Sequence, residues 1–258
     1  MKKMLLLMTL LLAHCAWAGN GLLEPHDRLA PQAGAGPRVA LTLDACGGDY
    51  DGALIEFLIR NRVPATIFAT RKWLDRNPAG LAVIKTHLDL FDVEDHGENH
   101  IPAVIGAGRR VYGIAGEPDV EHLQREVAAG AHAVAAAIGI APRYYRGATA
   151  IYDAQALETI GRMGYSIAGF SVNADDGATL NRGDIEARLR SVRDGDVIIT
   201  HMNRPASDSA EGLAAGLSEL LRKGYAFVRL DQADLVAIQD NPVRNVAKLK
   251  KQANRASI

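Results

Sequence analysis

The sequence predicts an α/β fold in which parallel strands alternate with helices, and three observations carry that reading. Seven strand-like runs are spaced along the chain: Arg38–Asp44, Ala65–Thr70, Leu88–Glu94, Arg143–Arg146, Ser166–Val172, Asp196–His201 and Ala226–Leu230. Helical patterns lie between them; Gly52–Asn61 carries Leu54, Ile55, Leu58 and Ile59, and Val120–Ile138 repeats Val120, Leu123, Val127, Ala131 and Val134 at helical spacing. The reactive side chains Asp44, His96, Arg146, Asp176 and His201 all fall at or just beyond the C-terminal end of one of these strands. Strand, helix, strand repeated in this way implies a parallel sheet covered by helices. Seven units favour a closed or nearly closed barrel over an open doubly wound sheet, and in a barrel such strand ends converge on one face.

In chain order, Lys2 and Lys3 precede the apolar run Met4–Leu12, and Ala16-Trp17-Ala18 follows as a cleavage signal. Residues 1–18 therefore read as an export signal, and their apolar run is too short to span a bilayer. Stable membrane insertion is not expected after cleavage, and the expected home is the periplasm or the medium. The remaining 19–258 read as one catalytic domain with its core at about 38–240, because no Ser/Pro/Gly linker divides them. They keep a single cysteine, Cys46, so no intrachain disulfide is expected. Removing Lys2 and Lys3 leaves 27 basic against 30 acidic residues. No basic stripe tracks phosphates, which argues against nucleic acid as a partner. The basic stretch Lys248–Arg255 reads as a solvated tail. Oligomeric state leaves no trace in the sequence.

The strands Val39-Ala40-Leu41-Thr42-Leu43 and Val197-Ile198-Ile199 are nearly continuous apolar runs, as expected of strands buried on both faces. After the third strand comes His96-Gly97-Glu98-Asn99-His100, two imidazoles four residues apart. Four residues is one helical turn, which would aim both rings at one point, as a divalent metal requires. The long connection Ile101–Pro118, rich in glycine, either forms a lip beside the histidines or runs as a loose excursion. Tyr144, Tyr145 and Tyr152 either stack on a ligand or belong to the core, and core is the commoner fate of aromatics around a barrel strand.

The ordered set of motifs resembles the polysaccharide deacetylase family, the chitooligosaccharide deacetylase homology domain of carbohydrate esterase family 4-like proteins. The resemblance runs from about Arg38 to Leu230. It implies a distorted (β/α)7 barrel, TIM-barrel-like with parallel strands, and a metal-dependent hydrolase that removes acetyl groups from sugars of an envelope or extracellular polysaccharide. Val39–Asp44 is similar to the motif whose aspartate is the catalytic base. His96 and His100 match the two metal-binding histidines, which implies a divalent metal, Zn2+ first, with Co2+ or Mn2+ as alternatives. Arg146-Gly147-Ala148-Thr149 matches the motif whose arginine holds the base and whose backbone N–H helps bind the oxyanion. Val172–Gly177 places Asp176 where an aspartate orients the catalytic histidine, and Gly195–His201 places His201 as the general acid.

The chain also departs from the pattern. Where the family carries a second aspartate as a metal ligand, this chain has Ala45. Three repairs are chemically open: ligation by Asp44 itself, a thiolate from Cys46, or two histidines with water completing the shell. The two histidines with Asp44 close by form the expected arrangement, and a lone cysteine after a buried strand reads as a small core residue. The lost aspartate keeps two other readings open: a metal-free amide hydrolase of the same superfamily, which would resist chelators, and an inactive glycan-binding protein. Retention of Asp44, Arg146, Asp176 and His201 together argues against the binder.

Overall fold

The computed structural model describes residues 21–34, 36–238 and 241–242. The expected export signal and the basic stretch Lys248–Arg255 lie outside the described residues.

Eight strands form one parallel sheet that curls into a barrel. Along its path the order is Val172–Asn173, Val197–His201, Arg38–Ala45, Ala65–Ala69, Phe91–Asp95, Tyr144–Tyr145 and Ser166–Ile167, and Ala226–Val228 pairs with the beginning of Arg38–Ala45. This is the distorted (β/α)7 barrel expected from the sequence. Helices Gly52–Arg60, Val120–Ile138, Ala154–Arg162, Arg182–Arg190 and Ser209–Arg222 lie between strands. Side-chain oxygens start several helices: Asp51 Oδ1 accepts from Leu54 N at 3.0 Å, Thr70 Oγ1, ahead of the short helix Arg71–Arg76, from Trp73 N at 3.0 Å and Asp153 Oδ1 from Ala156 N at 2.8 Å. The long helix ends at Gly139, whose φ of +86° suits the left-handed cap.

Alternation in the central strand explains both the core and the site. Val39, Leu41, Leu43 and Ala45 are fully buried in the cluster shared with helix residues Leu54, Leu58, Leu213 and Leu217. Burying each of the leucines in this layer is worth about 1.5–3 kcal/mol. The alternate residues Ala40, Thr42 and Asp44 point into the barrel. Ala40 packs there with Phe68, Val197, Ile199 and Leu230, and Thr42 and Asp44 put polar groups above that apolar floor. Thr66 Oγ1 accepts from Leu230 N at 2.9 Å, tying the chain across the bottom of the barrel.

Four strands match the sequence reading to within two residues at one end, as Arg38–Ala45, Ala65–Ala69, Val197–His201 and Ala226–Val228, and the other three differ further. The third strand is Phe91–Asp95, not Leu88–Glu94, because His87 O accepts from both Leu90 N and Phe91 N in a closing turn. The fourth shortens to Tyr144–Tyr145. The predicted Ser166–Val172 is two strands, Ser166–Ile167 and Val172–Asn173, which form the two edges of the sheet. Between them the N-terminal segment enters the seam: Phe170 N donates to Pro25 O and Gly169 N to Asp27 Oδ2 at 2.7 Å. A Cβ on Gly169 would lie 2.5 Å from Pro25 O, so only glycine permits this approach.

Candidate active site

The C-terminal rim gathers Asp44, Cys46, His96, His100, Arg146, Asp175 and His201. Asp44 and His201 are register partners on adjacent strands. Asp44 Oδ1 accepts from Arg146 Nη1 at 2.8 Å, and both residues are almost inaccessible to solvent. The guanidinium also donates to Thr42 Oγ1 at 2.8 Å, Ala168 O at 3.1 Å and Gly169 O at 3.3 Å, and lies 4.2 Å from the Phe68 ring centre. Each of the three nitrogens of this buried cation thus donates at least one hydrogen bond. Burial alone would push the Asp44 carboxyl up, but Arg146, His96 and His201 outweigh it and hold the group below its ordinary range.

His96 follows the third strand and is buried. Its Nδ1 lies 2.5 Å from Arg146 O. A carbonyl only accepts, so Nδ1 carries the proton and Nε2 presents a lone pair. That nitrogen is 3.4 Å from Cys46 Sγ and 3.8 Å from Asp44 Oδ2. The segment from His96 to His100 is a loop, which corrects the helical-turn expectation. Gly97 has φ +84° and His100 φ +63°. Glu126, from the long helix, holds the loop by accepting from Asn99 N at 2.7 Å and Ile101 N at 3.3 Å. Asp95 Oδ1 accepts from Gly97 N at 2.8 Å. The imidazoles still meet, edge to face, with ring centres 4.8 Å apart.

Cys46 completes the group. Ligand atoms of Cys46, His96 and His100 all lie within 4.8 Å of one another. The reading of Cys46 as a core residue is therefore corrected: the alternation that turns Ala45 outward into the helix-facing core returns the next side chain to the rim, on the side of Asp44. Burial opposes ionisation of the thiol, yet His100 and His96 hold it well below its ordinary value. The His96 imidazole is raised to about 9, burial being outweighed by Asp44 and Cys46. Such a field favours a cation at Nε2, whether a proton or a metal. Two imidazoles and a thiolate with one open side are also a donor set that Zn2+ accepts, so these residues fit the divalent ion.

His201 ends its strand with Nδ1 2.8 Å from Asp175 Oδ1. Asp175 Oδ2 accepts from Thr200 Oγ1 at 3.0 Å, His201 N at 2.9 Å and Ser209 Oγ at 3.1 Å. The carboxylate beside His201 is thus Asp175, a correction to Asp176. The neighbour is displaced because its backbone turns through φ +51°, with its N–H held by Asn173 Oδ1 at 2.8 Å. Burial opposes the imidazolium of His201, but Asp175 raises its pKa well above the ordinary value.

Tyr145 and Tyr152 are buried with Leu123 and Val127 and offer no open stacking face. Tyr152 Oη accepts from Gly147 N at 2.8 Å, bracing the Arg146 segment. In that segment Thr149 and Ala150 have φ of +68° and +53°, and Thr149 Oγ1 is buried without a partner, strain of the kind that collects at functional sites. The Ile101–Pro118 connection is pinned. It carries the hairpin Arg110–Val111 with Ile114–Ala115, and Asp153 Oδ2 accepts from Ile105 N at 2.7 Å and Arg109 Nη1 at 2.6 Å.

Fold and rim together define a parallel barrel with a polar site at the C-terminal ends of its strands. The chain belongs to the polysaccharide deacetylase family, whose description residues 32–168, more than half of its length, match. Among solved structures it resembles a CE4 family pseudoenzyme from Bacillus anthracis at 17% identity and TM-score 0.60, over 76% of this chain and 64% of that one. A mutant of that pseudoenzyme with restored enzymatic activity is similar at 18% identity and TM-score 0.60, over 76% of this chain and 66% of the mutant's. The chain thus spans about two thirds of the pseudoenzyme's length. A peptidoglycan N-acetylglucosamine deacetylase is similar at 20% identity and TM-score 0.63, over 76% and 86% of the two chains. Peptidoglycan deacetylase PdaC from Bacillus subtilis, as a mutant, is similar at 19% identity and TM-score 0.59, over 86% and 95%. At these identities the likeness is one of fold. No curated protein matches the chain.

Proposed function

We propose that the protein is a metal-dependent deacetylase that hydrolyses an acetyl group, N-linked or O-linked, on an envelope or extracellular glycan. The observation that carries this reading is the Cys46, His96 and His100 donor set beside a buried aspartate and a carboxylate-held histidine. Cys46 supplies the ligand lost at Ala45, and Zn2+ suits the thiolate better than Mn2+ does.

When bound, the ion supplies Lewis acidity and lowers the pKa of a water molecule toward neutrality. Asp44, kept ionised and immobile by Arg146, takes the proton of the attacking water. The family resemblance assigns the developing oxyanion to a backbone N–H of the Arg146–Thr149 segment, worth on the order of 3 kcal/mol for one well-placed donor. His201 delivers a proton to the departing amine or alcohol, and Asp175 fixes its tautomer and stabilises its charged form. The basic start, apolar run and Ala16-Trp17-Ala18 of residues 1–18 support export of the enzyme toward such glycans.

The test is acetate release from N-acetylated chitooligosaccharides, peptidoglycan and O-acetylated xylan, with chelator and then with Zn2+, Co2+ or Mn2+ restored. Release that chelation stops and metal restores is expected. Release indifferent to chelation would favour the metal-free amide hydrolase. Silence on every substrate would favour an inactive glycan binder, a reading that the fold likeness to a pseudoenzyme keeps in view.

A further inference from the structure

The mouth of the site has a charge pattern that the acetyl chemistry does not use. A cavity of about 400 Å³ opens over Cys46 and His100, walled by Lys72 and Asn99 on one side and Asn203 and Arg204 on the other. No acidic residue lines it. The nearby carboxylates are already matched: Glu98 by Arg71 Nη1 at 2.8 Å, and Asp49 by Arg76 Nη2 at 2.8 Å. Lys72 Nζ donates only to Asn99 O, at 3.1 Å, and neither Lys72 nor Arg204 has an ion-pair partner among the described residues.

The backbone under both cations is fixed. Lys72 is the second residue of the helix Arg71–Arg76, whose first N–H groups bond to Gly97 O at 3.0 Å and Glu98 O at 3.3 Å in the histidine loop. Arg204 follows Asn203, whose side chain donates to Gly47 O at 2.5 Å and whose carbonyl accepts from Asp49 N at 3.2 Å. A Cβ on Gly48 would lie 2.6 Å from Asn203 O, so these two loops are locked together. The strands leading to Lys72 and Arg204 flank the strand leading to Cys46 on opposite sides. Two unmatched cations therefore stand across the metal-ligand set from each other. Folding needs neither, because both side chains are exposed.

We infer that the substrate is an acidic acetylated sugar, whose carboxylate or phosphate, on the acetyl-bearing residue or its immediate neighbour, is held by Lys72 and Arg204. This rests on the deacetylase reading for the reaction, but the selectivity belongs to the cavity. The negative group cancels the excess positive charge of the mouth, and the fork of Arg204 offers two parallel hydrogen bonds to it. A neutral oligomer leaves both cations hydrated and gains nothing from them.

The experiment titrates the Zn2+-loaded protein by calorimetry with three matched probes: N-acetylglucosamine, N-acetylmuramic acid, which adds a carboxylate, and N-acetylglucosamine 6-phosphate. At least one acidic sugar is expected to bind roughly tenfold more tightly than the neutral one, the sum of two partly exposed charge contacts. The carboxylate and phosphate arms show which anion is preferred. In the K72Q/R204Q double variant that ratio is expected to fall close to one, and rising salt should erode it in the unmodified protein. Equal affinity for all three probes, a preference that survives K72Q/R204Q, or no binding of either acidic sugar would overturn the inference. Acetate release is followed in the same samples. Anion-selective binding together with silence on every glycan named above would break the deacetylase reading and leave the cation pair standing.

Discussion

Two buried aspartates on neighbouring parts of the rim hold opposite kinds of partner. Asp44 faces Arg146, which is always charged, and Asp175 faces His201, which titrates. Both carboxyl groups are held below their ordinary range by these partners against the opposing effect of burial. The first pair is fixed in charge and tied to the barrel seam through Ala168 and Gly169. The second has one partner that can give up a proton and take it back. The same device, a carboxylate out of water, thus serves structure and base positioning on one side and proton delivery on the other.

The largest effect is expected from Arg146→Ala, which leaves Asp44 buried without its cation and unties the seam. A loss of about 3–5 kcal/mol in stability is expected, read by denaturant unfolding. A loss under ~1 kcal/mol would show that Asp44 is not held as the geometry indicates. Asp175→Asn should spare the fold and the metal while lowering kcat/KM by about 10²–10⁴-fold, the range for a disabled general acid. His201→Ala should do the same, whereas His96→Ala should remove the metal. Asp176→Asn sharpens the comparison: kcat/KM close to that of the unmodified protein is expected, because the carboxylate on His201 is Asp175. If Asp176→Asn were as damaging as Asp175→Asn, the pairing would be wrong.

The smallest effect lies outside both pairs. The Glu117 carboxyl is raised to about 7 by burial and by the Glu126 carboxylate. A carboxyl raised in the folded state stabilises it while protonated, so this contribution is present at low pH and is lost as pH rises through about 7. Thermal melts of Glu117→Gln at pH 5 and pH 8 should differ less than those of the unmodified protein. An unchanged difference would remove Glu117 from the account.

Much of this was legible in the sequence, for physical reasons that also mark where legibility stopped. The central strand reads clearly because Val39, Leu41 and Leu43 are apolar with Asp44 at the end. Arg146 and His201 follow from the same logic of strand ends. The orienting aspartate does not, because the strand before it is only Val172–Asn173, too short to set which face Asp175 and Asp176 present. The break in Ser166–Val172 was equally hidden, since it depends on Pro25 and Asp27, more than 140 positions earlier in the chain. Cys46 could have been found from alternation alone, because residues two apart share a face. A lone cysteine after a buried strand is most often a small core residue, and that masks the signal. Lys72 and Arg204 carry no periodic or motif signal, and only the folded rim brings them to one cavity.

The most direct test of the account is X-ray absorption at the zinc edge of the purified, zinc-loaded protein, with metal content measured on the same sample. One equivalent of zinc with one sulfur neighbour at about 2.3 Å and imidazole nitrogens at about 2.0–2.1 Å is expected. The sulfur should vanish in Cys46→Asp, which should keep the metal, and Cys46→Ala should bind it more weakly. Zinc with no sulfur neighbour in the unmodified protein would contradict Cys46 as the replacement ligand, and failure to retain zinc would contradict the metal site itself.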